Sequence, residues 1–307
     1  MRTMNATIQT LGAMFGLLLG LGWLLRRTGI LTEPHTTWLT NFITIVPLPA
    51  LVMGALAQAR FSPALLGVWL LGLLITGVGM GLAWLLGKWL GLRAGTLGVL
   101  MVSGTLGNTG FLGTPLIAAL YPHQPDVVAA AVTFDMGVTA LMVNTVGIAI
   151  LAHFGKGDHF DLRRSLKRLL QMPVLWATWI GYAVMLSGLK LPAPLLFTLE
   201  RLGQTTVPLA LLAIGSLIRW HAIGTRWRAL LLIVAFKCLL MPSLCWGLLQ
   251  LVALPEFAAR ALLLQSAMPS VMVSAVYAAL YKTEPDLAAA VVAVSTLLFF
   301  LLWLPFF

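Results

Sequence analysis

The feature that most limits this chain is the recurrence of long apolar stretches with only short polar connections between them. Ten can be traced, at about 6–25, 36–57, 64–87, 95–121, 127–152, 172–189, 196–218, 228–252, 259–281 and 286–306. Stretches of about 20 residues cross the hydrocarbon of a bilayer as helices. Lipid offers no hydrogen bonds, so the backbone must satisfy itself. The sequence therefore predicts an all-α polytopic membrane protein with ten transmembrane helices. Its charged fraction of 9% lies far below the roughly 25% of soluble domains. The first stretch follows Arg2 and resembles a signal peptide. Its length and the lack of a small-residue cleavage site favour a span.

The net charge of +10 does not point to nucleic acid, because the basic residues sit in short loops. Arg26, Arg27, Lys88, Arg93, Lys156, Arg163, Arg164, Lys167, Arg168, Arg219, Arg226, Arg228 and Lys282 follow odd-numbered spans. Only Arg2, Arg60, Lys190, Arg201 and Arg260 lie on the other side. That excess places the first group in the cytoplasm and both termini outside. The sequence offers no nucleophile–base constellation, phosphate loop or metal cluster, so neither an enzyme nor a cofactor is expected. In Asp158-His159-x-Asp161 the charges read as solvated loop residues. Cys238 and Cys245 are seven apart, roughly 10 Å along one helix, too far for a disulfide.

The two halves of the chain resemble each other. Ala118-Ala119-Leu120-Tyr121 with Pro125-Asp126 recurs as Ala278-Ala279-Leu280-Tyr281 with Pro285-Asp286, an offset of 160. Val46-Pro47-Leu48 with Leu51 and Gly54 recurs as Val207-Pro208-Leu209 with Leu212 and Gly215, an offset of 161. Five spans per half make the second half inverted, the plan of many secondary transporters. The expected units are 1–152, a basic cytoplasmic linker 153–171, and 172–307.

Span 4 carries Gly104, Gly107, Gly110 and Gly113 at every third position, with Asn108 among them and Pro115 closing the run. Glycine and proline break helices, and a break in the membrane is tolerated only inside protein or beside a watery cavity. The offset maps this run onto Gln265-Ser266-Ala267-Met268-Pro269-Ser270 in span 9. Two broken helices crossing at matching depth would offer their unpaired ends to a ligand. Kinks used only for packing are the alternative.

Asp135 and Lys237 are the only formal charges well inside a span, which makes them functional candidates. With helical spacing, Ala131, Thr139 and Met142 share the face of Asp135. Asp135 could exchange a proton with a coupled solute, or hold backbone freed by the span 4 break. Lys237 could hold an anion, pair with Asp135, or fill an emptied cation site. Asn144 should point away from Asp135. Glu200 and Arg201 read as a rim pair, Pro47, Pro49 and Pro208 as bends, and Gly12, Gly16 and Gly20 as a helix-packing stripe.

Gly107-Asn108-Thr109-Gly110-Phe111-Leu112-Gly113-Thr114-Pro115-Leu116, Val207-Pro208-Leu209-Ala210-Leu211-Leu212-Ala213-Ile214-Gly215 and Ala267-Met268-Pro269-Ser270 resemble the auxin efflux carrier family. That family includes bacterial malate and malonate permeases and plant PIN-type auxin carriers. The resemblance covers essentially the whole chain. It implies two inverted five-helix repeats and a homodimer through spans 2 and 7, in a bacterial inner membrane. Spans 1, 2, 6 and 7 would form a scaffold, and the others a mobile transport domain. A small organic anion would bind where spans 4 and 9 cross and move by an elevator-like shift. Substrate contacts are then expected from Asn108, Thr109, Gly110, Pro115, Gln265, Ser266, Pro269, Ser270 and Lys237, with Asp135 handling H+ or an ion. Span 6 departs from the family pattern, starting with Met172-Pro173 where many relatives have Asn-Pro. A sodium-coupled symporter resembling the bile-acid-transporter fold is the alternative carrier. A receptor on the same scaffold is expected to carry an appended soluble domain, and no stretch of these 307 residues reads as one.

Overall fold

The computed structural model describes the backbone of residues 2–157, 160–217 and 226–303, with side chains from Ala13 to Leu302 outside the two gaps. Asp158, His159, Arg219 and His221 lie outside the described residues, as do the surroundings of Gly12. Among the described residues the fold is helical and has no named strand. In chain order it runs α1 (Arg2–Arg27), α2 (Glu33–Ile45), α3 (Pro47–Gln58), α4 (Ala64–Trp89) and α5 (Ala94–Ser103). Then come α6 (Thr114–Leu120), α7 (Pro125–Phe134), α8 (Ile148–Phe154), α9 (Leu162–Leu170), α10 (Pro173–Ser187), α11 (Ala193–Gln204) and α12 (Thr206–Ser216). The last five are α13 (Trp227–Ala235), α14 (Met241–Leu249), α15 (Glu256–Ala267), α16 (Val273–Leu280) and α17 (Pro285–Leu298).

Five of the described continuous helices are long and apolar enough to cross a membrane, and six if the pair α9–α10, bent by 60°, counts as one. Spans 4, 7 and 9 are divided into shorter pieces. Prolines explain many of the starts. Pro34, Pro47, Pro125, Pro173, Pro194 and Pro285 each fall in a first helical turn, where the missing N–H is no loss, whereas Pro242 follows a π-helical turn inside the helix Trp227–Leu249. Pro115 lies inside the helix Thr109–Leu120, just after its π-helical turn. The break after α2 falls at Val46, just before Pro47, and the break after α11 falls at Thr205, before Pro208.

Many large apolar side chains face outward, among them Trp38, Trp89, Trp176, Trp179 and Leu251, as expected where lipid is the solvent. Inside, α1 lies along α12, and α3 along α10 and α11. Helices α4, α5 and α7 group with α14, α15 and α17, and α3 touches that group through α7. The α1–α12 seam corrects the expected glycine stripe. Gly16 and Gly20 face open space, whereas Phe15 and Leu19 are buried. The close approach is at Gly22, where a Cβ would lie 2.3 Å from the Leu212 carbonyl oxygen, and at Gly215, where it would lie 2.2 Å from that of Leu19.

Contacts between helix ends fall into two sets. Ser216 bonds Thr36 at 2.9 Å, Arg226 meets Glu284 and Thr96, and the Lys156 and Gly157 amides donate to the Tyr281 carbonyl. At the other ends the Arg60 amide donates to Asp126 at 2.7 Å, and Gln58 to Glu200 at 3.2 Å. Glu200 and Arg201 are thus not partners. Arg201 donates to Gln204 and lies over Phe197. Asp161 caps α9 by accepting from the Arg164 amide.

Candidate functional site at the helix crossing

Helix α5 stops at Ser103 and the chain resumes helical geometry at Thr109, in a wide π-helical turn (Thr109–Gly113) that leads into α6. Helix α15 stops at Ala267 and α16 resumes at Val273. The two gaps face each other. Gly107 and Ser270 form an antiparallel bridge, the Asn108 amide donates to the Pro269 carbonyl at 2.7 Å, and the Val271 amide donates to Leu106 at 3.0 Å. Backbone groups stripped of helical partners thus satisfy one another across the crossing. At Gly107 a Cβ would crowd the Gln265 carbonyl and the Met268 side chain, both at 3.3 Å.

Gln265 pins the crossing to its surroundings. Its Nε2 donates to Thr114 Oγ1 at 3.1 Å and to the Ala131 carbonyl at 2.9 Å. This ties α15 to α6 and α7. Gly113 leaves the room for it, since a Cβ there would fall 2.0 Å from Gln265 Oε1.

Asp135 stands at the N-terminal end of the second half-helix of the first break. Its Oδ1 accepts from Thr109 Oγ1 at 2.5 Å, and a Cβ on Gly110 would come within 2.9 Å of Oδ2. A carboxylate at a helix N-terminus complements the partial positive charge there. Asp135 also opens a π-helical turn, Asp135–Ala140, followed by another at Val143–Gly147. The wider turns shift the face that a 3.6-residue period assigns, so Thr139 lines a cavity that Asp135 does not. Trp69 satisfies the Gly137 carbonyl in this turn at 2.8 Å. Asn144 points elsewhere, as its spacing implied, and accepts from Tyr277 Oη at 2.7 Å.

Lys237 lies in a third such turn, Phe236–Leu240, and is fully buried. Its Nζ donates to the Ser266 carbonyl at 2.9 Å, at the C-terminal end of α15. Among the described ion pairs none joins Lys237 to Asp135. Cys238 and Cys245 are buried nearby without a disulfide.

The crossing therefore has two sides. One holds a cavity of about 10 Å³, lined by Thr76, Thr105, Thr139, Lys237, Gln265 and Ser266 among others, with room for about one water. Outside that cavity's lining the crossing carries buried polar atoms without a partner, Asn108 Nδ2, Ser270 Oγ and Asp135 Oδ2, and Gln265 Oε1 is likewise unpartnered. The Ser270 amide donates to Ser295 Oγ at 3.1 Å. Pro115 and Pro269 are both buried at the crossing, Pro115 just after the π-helical turn Thr109–Gly113 and Pro269 with its carbonyl accepting from the Asn108 amide. Sequence reasoning singled out neither Thr114 nor Tyr277; Ser295 it read only as the repeat mate of Asp135, not as a partner of Ser270.

Comparison with known proteins agrees over nearly the whole length. A family model described as membrane transport protein matches residues 13–307. The chain is 29% identical over 300 residues to an uncharacterized transporter of Methanocaldococcus jannaschii, covering 92% of this chain and 93% of the relative. It is also 29% identical over 285 residues to an uncharacterized transporter of Methanothermobacter thermautotrophicus, covering 91% and 90%.

Proposed function

The chain belongs to the auxin efflux carrier family of membrane transport proteins, and from that premise we propose that it carries small organic anions through the crossing. The observation that carries the reading is the pair of buried, unpartnered donors there, Asn108 Nδ2 and Ser270 Oγ. A buried polar group without a partner is costly, and these two lie where a helix N-terminus adds positive potential. Asp135 already occupies the equivalent place at the start of the turn Thr109–Gly113, which leaves the α16 side for a substrate carboxylate. Thr109, Gly110 and Gln265 hold the site open rather than touch the substrate.

The reading includes ten crossings in two inverted halves, residues 1–152 and 172–307. Supporting it, Gly110 against Asp135 and Ser270 against Ser295 are equivalent contacts 160 residues apart. The grouping of α1–α3 with α10–α12, which meets the other helices mainly through α3 against α7 and α12 against the turn Thr109–Gly113, supports a scaffold and a mobile domain moving as an elevator. A cavity of about 10 Å³ cannot hold a dicarboxylate, so binding needs the crossing to open. The homodimer through spans 2 and 7, the inner-membrane location and the outward termini belong to the same proposal.

The test is uptake of labelled malonate, malate and succinate into proteoliposomes, with pH and sodium gradients imposed separately. Uptake that tracks the pH gradient and loses that dependence in Asp135→Asn supports proton handling by Asp135. Uptake of none of the three removes dicarboxylates as substrates.

A further inference from the structure

We infer that the Lys237 ammonium is a built-in cation, holding the place at the C-terminal end of α15 that a dissociable sodium ion would otherwise take. The half-helix α15 ends inside the protein, and its last carbonyls carry the partial negative charge of a helix terminus. In transporters with broken helices such ends and the unwound carbonyls beside them coordinate the coupling cation. Here the Ser266 carbonyl receives Lys237 Nζ at 2.9 Å. The surrounding cavity has apolar walls from Ile75, Leu106, Phe134 and Met241, and its polar lining besides Lys237 is oxygen-bearing, from Thr76, Thr105, Thr139, Gln265 and Ser266. Neutral oxygens of this kind suit a hard cation, and no carboxylate lines the cavity.

The side chain is placed for this role by its backbone. The wide turn Phe236–Leu240 sets Lys237 among buried neighbours, with 1% of its surface accessible. At that depth the chain does not snorkel to water, and the described ion pairs include none for it. Its charge is balanced by a helix end instead of a counter-ion. A sodium ion beside it would meet a like charge at close range in a poorly screened site. The site is thus permanently occupied, and carriage proceeds without sodium. That last step rests on the transport reading above, whereas occupancy of the cation place does not.

The experiment compares thermal unfolding of the purified full chain in sodium chloride and in choline chloride at equal ionic strength. Wild type is expected to unfold at the same temperature in both. Lys237→Ala is expected to unfold lower in choline chloride and to regain stability with sodium or propylammonium, which refill the emptied place. Lys237→Met, which keeps the stem volume, is expected to lose stability in choline chloride as well, separating charge from packing. Stabilisation of wild type by sodium over choline would overturn the inference. So would a Lys237→Ala protein as stable as wild type and indifferent to both cations. If neither variant accumulates folded, radiolabelled sodium binding to wild type decides: none is expected, and one ion per chain displaced by neither choline nor potassium overturns it. A failure of the carboxylate-transport reading would show separately, as absent uptake with these salt responses unchanged.

Discussion

Replacing Gly113 with alanine tests the packing of the crossing most sharply. The backbone there is helical, φ −63° and ψ −61°, so alanine fits the conformation and should gain about 1 kcal/mol in helix propensity. The side chain does not fit. Its Cβ would lie 2.0 Å from Gln265 Oε1 and 2.9 Å from Met268 Cγ. Met268 can flex, but the Gln265 amide is held at both Thr114 and Ala131. Ordinary contact begins at 3.4 Å, so the amide must retreat by more than an ångström, and both bonds break. Intramembrane hydrogen bonds contribute about 1–2 kcal/mol each in model peptides. Gly113→Ala should therefore destabilise the protein by about 1–3 kcal/mol after the propensity gain. In a Gln265→Ala background the obstruction and both bonds are already gone. There the same substitution should be neutral or slightly stabilising. A four-member thermal unfolding cycle in detergent reads the coupling. Equal losses with and without Gln265, or no loss in wild type, would refute the assignment of Gln265 as the clamp.

Other substitutions separate neighbouring claims. Gly22→Ala drives a methyl into backbone of α12 that cannot rotate away, and should cost about 1–3 kcal/mol, whereas Gly16→Ala, facing open space, should stay within about 0.5 kcal/mol of wild type; thermal unfolding compares them. Thr109→Val removes the hydroxyl that donates to Asp135 and should cost about 1.5–3 kcal/mol by the same measurement, with Thr109→Ser close to wild type. Tyr277→Phe leaves the Asn144 oxygen without its donor and should cost about 1 kcal/mol while leaving anion selectivity in uptake assays unchanged.

The breaks were legible because glycine and proline announce them: the run from Gly104 to Pro115 and the Pro269 segment both interrupt helices where expected. Asp135 and Lys237 stood out because charge is rare in lipid, and both are buried at the crossing. Their partners were not legible. A period of 3.6 residues places Asp135 with Thr139, but π-helical turns at Thr109, Asp135, Val143 and Phe236 rotate each face, and no residue type marks such a turn. Gly12, Gly16 and Gly20 share the spacing of a packing motif, yet Gly22 makes the contact, because which face meets α12 is a tertiary choice. Glu200 and Arg201 are adjacent in sequence, and adjacent helical positions diverge by about 100°, so each finds a partner elsewhere.

If a carboxylate is held at the crossing, removing the Asn108 amide must abolish carriage. Labelled malonate uptake is measured in proteoliposomes holding equal amounts of wild type and Asn108→Ala. Asn108 Nδ2 has no protein partner, so its loss should leave the unfolding temperature nearly unchanged. The account predicts uptake by wild type and loss of uptake, by at least about tenfold, in a stably folded variant, the equivalent of about 1.4 kcal/mol or more. A variant that folds and carries malonate as wild type does would place the substrate elsewhere.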